Sequence, residues 1–126
     1  MSKIQKIWEH PLYQEHYLRI QELEKERRLC CHTLEHFLAV ARLTYIYVLE
    51  EGLEVSRRII YAAGLLHDIG KDLQYTQGIP HEEASARIAE KILRDCGFAA
   101  DESEMILDLI LTHRKKKKAQ KARLNE

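Results

Sequence analysis

The sequence is poor in the residues that interrupt helices. Its 126 residues include two prolines and five glycines. Both residue types weaken helix interiors, so their scarcity, beside many Leu, Ile, Ala, Glu, Lys and Arg, points to helices. Cysteine is also sparse, at three. An odd count of this kind argues for free thiols and against a disulfide framework. No apolar run approaches the roughly 20 residues that cross a bilayer. The opening segment MSKIQKIWEHP has neither an apolar signal core nor a small-residue cleavage site. The expectation is a cytoplasmic protein with no membrane partner. Net charge is absent too, with 20 Lys and Arg against 20 Asp and Glu.

That zero conceals an uneven distribution. Residues 114–126 hold seven Lys/Arg and one Glu, a net +6, which leaves −6 on residues 1–113. The expected organisation is therefore a helical domain over 1–113 and a basic C-terminal tail over 114–126. A hydrophobic fraction of 45% with 32% charged residues fits one globular domain with one modest core, and neither a disordered chain nor a fibre. Seven histidines is a high count for this length and the first hint of metal chemistry.

Periodicity divides the chain into five or six helices. A short one ends at His10-Pro11, because the residue before proline avoids the α region. Tyr13, Tyr17, Ile20 and Leu23 predict a helix from Pro11 to Arg28 whose charged stretch, residues 21–28, faces outward. The next spans Cys31 to Glu51, stops at Gly52, and is apolar around so much of its circumference that burial between other helices is expected. A third starts at Val55-Ser56, with Ser56 as N-cap, and carries a nearly unbroken apolar run, Ile59 to Leu66. Asp72 to Ile79 reads as a loop. Pro80 suits the first position of a fourth helix. Asp101 with Glu104 resembles a capping box for a fifth, which ends at His113. The sum is an all-α fold.

The chemistry gathers at His67-Asp68. A carboxylate is costly to bury unpaired, yet this one directly follows an apolar run that should be buried. A cation beside it would offset that cost and hold the neighbouring imidazole neutral. Taken singly, a histidine on an apolar face is an ordinary core residue. Here His36, His81 and His113 also stand at helix ends or on buried faces, and the set together points to a metal centre.

In that order, His36 with its His-x-x-x-Val-Ala context, then Leu65-Leu66-His67-Asp68-Ile69-Gly70-Lys71, then His81 and His113, the sequence resembles the HD-domain metal-dependent phosphohydrolases. The likeness extends from about Cys31 to Lys115. It is greatest to a two-metal branch that includes bacterial symmetrical diadenosine tetraphosphate hydrolases. The resemblance implies a single HD-type helical domain in which His36, His67 and Asp68 hold one metal. Asp68 would bridge to a second metal held by His81 and His113. It also implies that Asp68 and Lys71 are catalytic and that metal-bound hydroxide attacks a nucleotide or dinucleoside polyphosphate. Lys71 would bind phosphate, and the basic run that begins beside His113 adds Arg114 and Lys115 as further phosphate-binding candidates by their charge. One or two divalent ions are implied, and the ligand types do not choose among Fe, Mn, Co, Ni, Zn and Mg. The family pattern also has an Asp after the last His, whereas no Asp follows Asp108 here, so the chain reads as short at its C-terminus. The alternative is a weakened or inactive HD module that binds nucleotide or metal in a regulatory role.

Other signals are weaker. His32-Thr33-Leu34-Glu35-His36 matches H-x-x-E-H, an inverted zinc-protease pattern, but leaves His67, His81 and His113 unexplained. His32 is then expected on a helix surface or behind the ligands, and His10 and His16 in solvent. Tyr45, Tyr47 and Tyr61 are expected in the core, and the three cysteines as buried or half-buried thiols. The basic run from Arg114 lacks interleaved aromatics and any nucleic-acid-reading motif, so the expected partner is a small phosphorylated molecule and not nucleic acid. A homodimer is a further expectation, from apolar surface left uncovered.

Overall fold

The computed structural model describes residues 2–25 and 32–124, with side chains as far as residue 112. Seven helices account for the regular structure among the described residues: α1 (Lys3–Glu9), α2 (Pro11–Glu24), α3 (Leu34–Glu50), α4 (Arg57–Leu66), α5 (Lys71–Gln77), α6 (His81–Asp95) and α7 (Ala100–Leu124). The all-α expectation holds. No described helix is long and apolar enough to cross a membrane.

α4 is the hub. Ser56 caps it as expected, its hydroxyl accepting from the Ile59 amide at 3.3 Å. The run that follows buries Ile59, Ala62, Leu65 and Leu66 in the main core. Each large side chain of this kind contributes about 2 kcal/mol. α3, α7, α1 and α6 all pack against α4. At the α3 crossing the backbones meet at Gly64, where a Cβ would lie 2.9 Å from the Ala41 Cβ. The last carbonyls of a helix lack intrahelical donors. Here the Tyr13 hydroxyl of α2 donates to the Leu65 carbonyl at 2.8 Å, which ties the two helices at the end that carries the site.

Several elements depart from the sequence expectation. Asp72 to Ile79 is not a loop: residues 71–77 form α5. Its one strong apolar residue, Leu73, gives no periodicity to read, and Gly78, at φ +69°, closes it in the left-handed conformation. α3 starts later than Cys31, because Thr33 caps it by accepting from the His36 amide. His32 therefore precedes the helix and shares no helix face with His36. α3 is also not sandwiched. It packs chiefly on α4, burying Phe37, Ala41 and Val48, while Leu43 (69% exposed), Ile46, Leu49 and Tyr47 face outward. Tyr47 is thus no core residue; Tyr45 and Tyr61 are half-buried. Pro80 is the N-cap of α6 and not its first residue. Before α7 the Ala99 amide donates to Glu102, which takes the role expected of Glu104. The α7 backbone stays helical to Leu124, through the 113/114 boundary. Lys, Ala, Gln and Arg are good helix formers, so a basic stretch need not end a helix. Cys96 is buried as expected, and Cys30 and Cys31 lie outside the described residues.

Two histidines expected in solvent are not there. His16 is buried, with Nδ1 2.7 Å from Asp72 Oδ2, joining α2 to α5. His10 caps α2 by accepting from the Leu12 amide at 3.0 Å, and its Nε2 lies 2.8 Å from Asp95 Oδ2. Glu24, assigned by sequence to an outward charged face, is 6% exposed. In each case a partner distant in sequence supplies the pairing that burial requires.

Candidate metal centre

α4 runs into a tight turn formed by residues 67–70. The His67 amide still bonds back to Ala63, at 2.9 Å, and the Lys71 amide reaches the Asp68 carbonyl at 3.1 Å. Ile69 is wholly buried and pins the turn to the core. Gly70 docks it on α6: its amide donates to the Ser85 hydroxyl at 2.9 Å. That contact brings the first turn of α6, and with it His81, beside Asp68.

Three imidazoles converge on the Asp68 carboxylate. His67 Nε2 is 3.0 Å from Oδ2, His32 Nε2 is 3.4 Å from Oδ2, and His81 Nε2 is 3.5 Å from Oδ1. Asp68 itself is 7% exposed. The other nitrogen of each ring settles the tautomer. His67 Nδ1 lies 2.7 Å from the Gly64 carbonyl, which can only accept, so Nδ1 carries a proton. His81 Nδ1 meets the Gln74 Oε1 at 2.8 Å, and the same oxygen accepts from the His81 backbone amide at 3.1 Å. His32 Nδ1 bonds the Glu24 carboxylate. All three rings thus spend Nδ1–H on a fixed acceptor and direct Nε2 at Asp68. This is the arrangement by which metal-ligating histidines are oriented.

A lone pair on Nε2 facing a carboxylate is repulsive unless a cation lies between them. Burial raises the Asp68 carboxyl pKa, but the hydrogen bond and charge of His67, with the charges of His32 and His81, outweigh it and hold the group well below the usual carboxylate range. Burial and the nearby Lys71 charge push His81 the other way, toward its neutral form, the one that can ligate. Among the described residues, no three His, Cys, Asp or Glu side chains are already spread around a common metal position. The donor set still fits a divalent cation, since it offers imidazole nitrogens and an ionised carboxylate where positive charge is needed. Because an imidazole must be neutral to ligate, metal uptake is expected to release protons increasingly as the pH falls below about 7. Calorimetric titrations in buffers of different ionisation enthalpy check this; heats independent of buffer would contradict it.

The cleft around these groups has a volume of about 680 Å³, with His36, Val40, Lys71, Gln74, Pro80 and Glu82 also on its walls. Of the residues singled out by sequence, His67, Asp68 and His81 meet, and Lys71 lines the same cleft. His36 is exposed on the cleft wall, its ring centroid 5.9 Å from that of His32 and not in contact with Asp68. The side chains of His113, Arg114 and Lys115 lie outside the described residues. Sequence reasoning missed Glu24, Gln74 and Tyr75 as site residues and gave His32 no direct part. The H-x-x-E-H spacing did mark His32, pairing it with His36 and not with Asp68.

A tight turn bearing a buried His-Asp pair at the end of a central helix, with further imidazoles brought in by neighbouring helices, defines a class of helical metal-site domains. Residues 33–126 match the family model for the HD domain. The chain belongs to the HD domain family, whose members are in general metal-dependent hydrolases that bind divalent metals. It is 45% identical over 106 residues to an uncharacterized protein of Clostridium beijerinckii, covering 84% of this chain and 68% of that one. Over 59 residues it is 42% identical to a bifunctional uridylyltransferase/uridylyl-removing enzyme of Azospirillum brasilense, covering 47% of this chain and 6% of the enzyme. Over 82 residues it is 35% identical to Ribonuclease Y of Pseudothermotoga lettingae, covering 65% of this chain and 14% of that protein. The chain thus spans only a small part of these two enzymes. No solved structure matches it.

Proposed function

We propose that this domain is a metal-dependent phosphohydrolase acting on a nucleotide phosphate, with a dinucleoside polyphosphate the most specific candidate. The observation that carries the reading is the convergence of three oriented imidazoles on one buried, ionised carboxylate in an open cleft. The printed names of two relatives support it, because removing a uridylyl group and cutting RNA both break phosphodiester links.

In this reading His67 and Asp68 hold metal, joined by His36, His81 and His113 as the resemblance implies. A divalent ion bound there would act as a Lewis acid toward a phosphoryl oxygen and acidify water. The remaining work falls to the chain. Lys71, which lines the cleft, places an ammonium where charge grows on the phosphoryl oxygens, and preorganised charge of this kind is often the largest catalytic contribution. Arg114 and Lys115 add attraction for an anionic substrate. Gln74 holds His81 in one tautomer, so that Nε2 is the nitrogen presented to the cleft.

The test is hydrolysis of a panel of mononucleotides, dinucleoside polyphosphates and simple phosphoesters, by protein stripped with chelator and then supplied with Mn, Fe, Co, Ni, Zn or Mg. Turnover that returns with metal and is absent from Asp68→Ala supports the enzyme. Saturable nucleotide or metal binding with no turnover on any substrate would sink it in favour of a regulatory binding module.

A further inference from the structure

We propose that the outward face of α3 is where two copies of this chain pair, antiparallel and related by a two-fold axis at Ile46. Leu43, Ile46, Tyr47, Leu49 and, just past the helix, Leu53 are each at least half exposed. Apolar residues scattered singly over a surface need no explanation. Five gathered on one helix and its exit turn mark a face that another surface covers.

The pattern of that face says what covers it. Ile46 is the midpoint. Leu43 and Leu49 stand three residues to either side of it, and Arg42 and Glu50 four residues to either side, about 6 Å along the axis. All four fall within about 60° of Ile46 around the helix, so they share one stripe. From either end the stripe has the same apolar order with the charges reversed. A second copy laid antiparallel sets Ile46 against the partner's Ile46, Leu43 level with the partner's Leu49, and Arg42 level with the partner's Glu50. An isologous interface requires such self-complementarity. A parallel pair would put like charges level with one another at both ends. The charges are also available. Arg42 bonds the Leu38 carbonyl through Nε at 3.3 Å and has no carboxylate partner among the described residues. Glu50 closes α3 at the negative end of its macrodipole, with no basic residue in the last turn, so a guanidinium arriving from outside relieves that end. A membrane surface suits the face poorly. Helices that lie on membranes carry Lys and Arg along the polar flank, whereas this one runs out into Glu50, Glu51 and Glu54.

The experiment is sedimentation equilibrium of the full chain over about 1–200 μM, a range suited to an interface of modest size. Wild type is expected to reach a dimer and stop there, because a two-fold contact closes on itself. Ile46→Glu sets two carboxylates against each other at the axis and should weaken pairing about a hundredfold. At a half-exposed position it should leave the fold intact, with Tm within about 2 °C of wild type. Arg42→Glu and Glu50→Arg alone should each cost about tenfold. The double variant Arg42→Glu/Glu50→Arg should return to within about threefold of wild type. An equimolar mixture of the two single variants should form heterodimers in preference to either homodimer, which a merely sticky surface would not do. Wild type that stays monomeric at the top of the range overturns the proposal and leaves the face to a different partner. Association that continues past two, a dimer indifferent to Ile46→Glu, or failure of either the double variant or the mixture to recover pairing overturns it as well.

Discussion

Asp68→Ala is expected to weaken divalent-metal binding about a thousandfold and to take metal-dependent hydrolysis to background. Without this carboxylate the imidazoles would have to hold the cation with no anionic ligand, and since each 1.4 kcal/mol is a tenfold change in affinity, a thousandfold loss corresponds to about 4 kcal/mol. Asp68 is the one group that all three imidazoles face, so its removal leaves Nε2 atoms with no shared anion. The metal-free protein should suffer far less. A histidine that loses its carboxylate can shed its proton at neutral pH, so no stranded charge remains in the interior. The expected pattern is a small change in melting temperature beside a large change in metal affinity, read by calorimetry and thermal unfolding on the same samples. Metal affinity within tenfold of wild type would remove Asp68 from the centre of the site. Unfolding at room temperature would show that its role is structural first.

Gly70→Ala is expected to be the most damaging single methyl group in the turn that carries the site. A Cβ there would stand 2.5 Å from the Ser85 amide nitrogen, 2.6 Å from the Ala84 Cβ and 2.8 Å from the Ala84 carbonyl carbon. These are helix backbone and a short side chain, so no rotamer change relieves the clash. Either the turn or the start of α6 must move, and the bond from the Gly70 amide to Ser85 goes with it. Overpacking of this kind costs about 1–3 kcal/mol, and a lost buried hydrogen bond adds about 1. For a domain of this size a loss near 3 kcal/mol lowers Tm by about 10–15 °C. His81 lies on the displaced turn, so metal affinity should fall as well. Gly64→Ala separates the two effects: it crowds Ala41 on α3 and should destabilise the fold without moving His81. A Tm within 2 °C of wild type, with unaltered metal binding, would mean that the turn and α6 are not rigidly joined.

The sequence was most informative where one local pattern carried the whole message. The run Ile59 to Leu66 declared a central helix, and a His-Asp pair at its end declared chemistry, because few other roles justify burying a carboxylate there. It was least informative where the partner is remote. Glu24 sits among Glu22, Lys25, Glu26 and Arg27, and nothing local distinguishes the buried one from its solvated neighbours. Its partner Tyr75 is 51 residues away. His16 and Asp72 are separated by 56. The exposure of α3 was hidden for a related reason: hydrophobicity around a helix says that it could be covered, while the packing partners decide how much of it is.

α5 occupies seven residues, and four consecutive or nearly consecutive positions in it reach different parts of the domain: Lys71 the cleft, Asp72 the His16 ring, Gln74 the His81 ring and Tyr75 the Glu24 carboxylate. Such a stretch behaves as a common latch: exchanging it as a block would strand the buried His16 and Glu24 side chains along with the His81 ring, and a single residue inserted just before Lys71 would turn all four positions out of phase by about 100°.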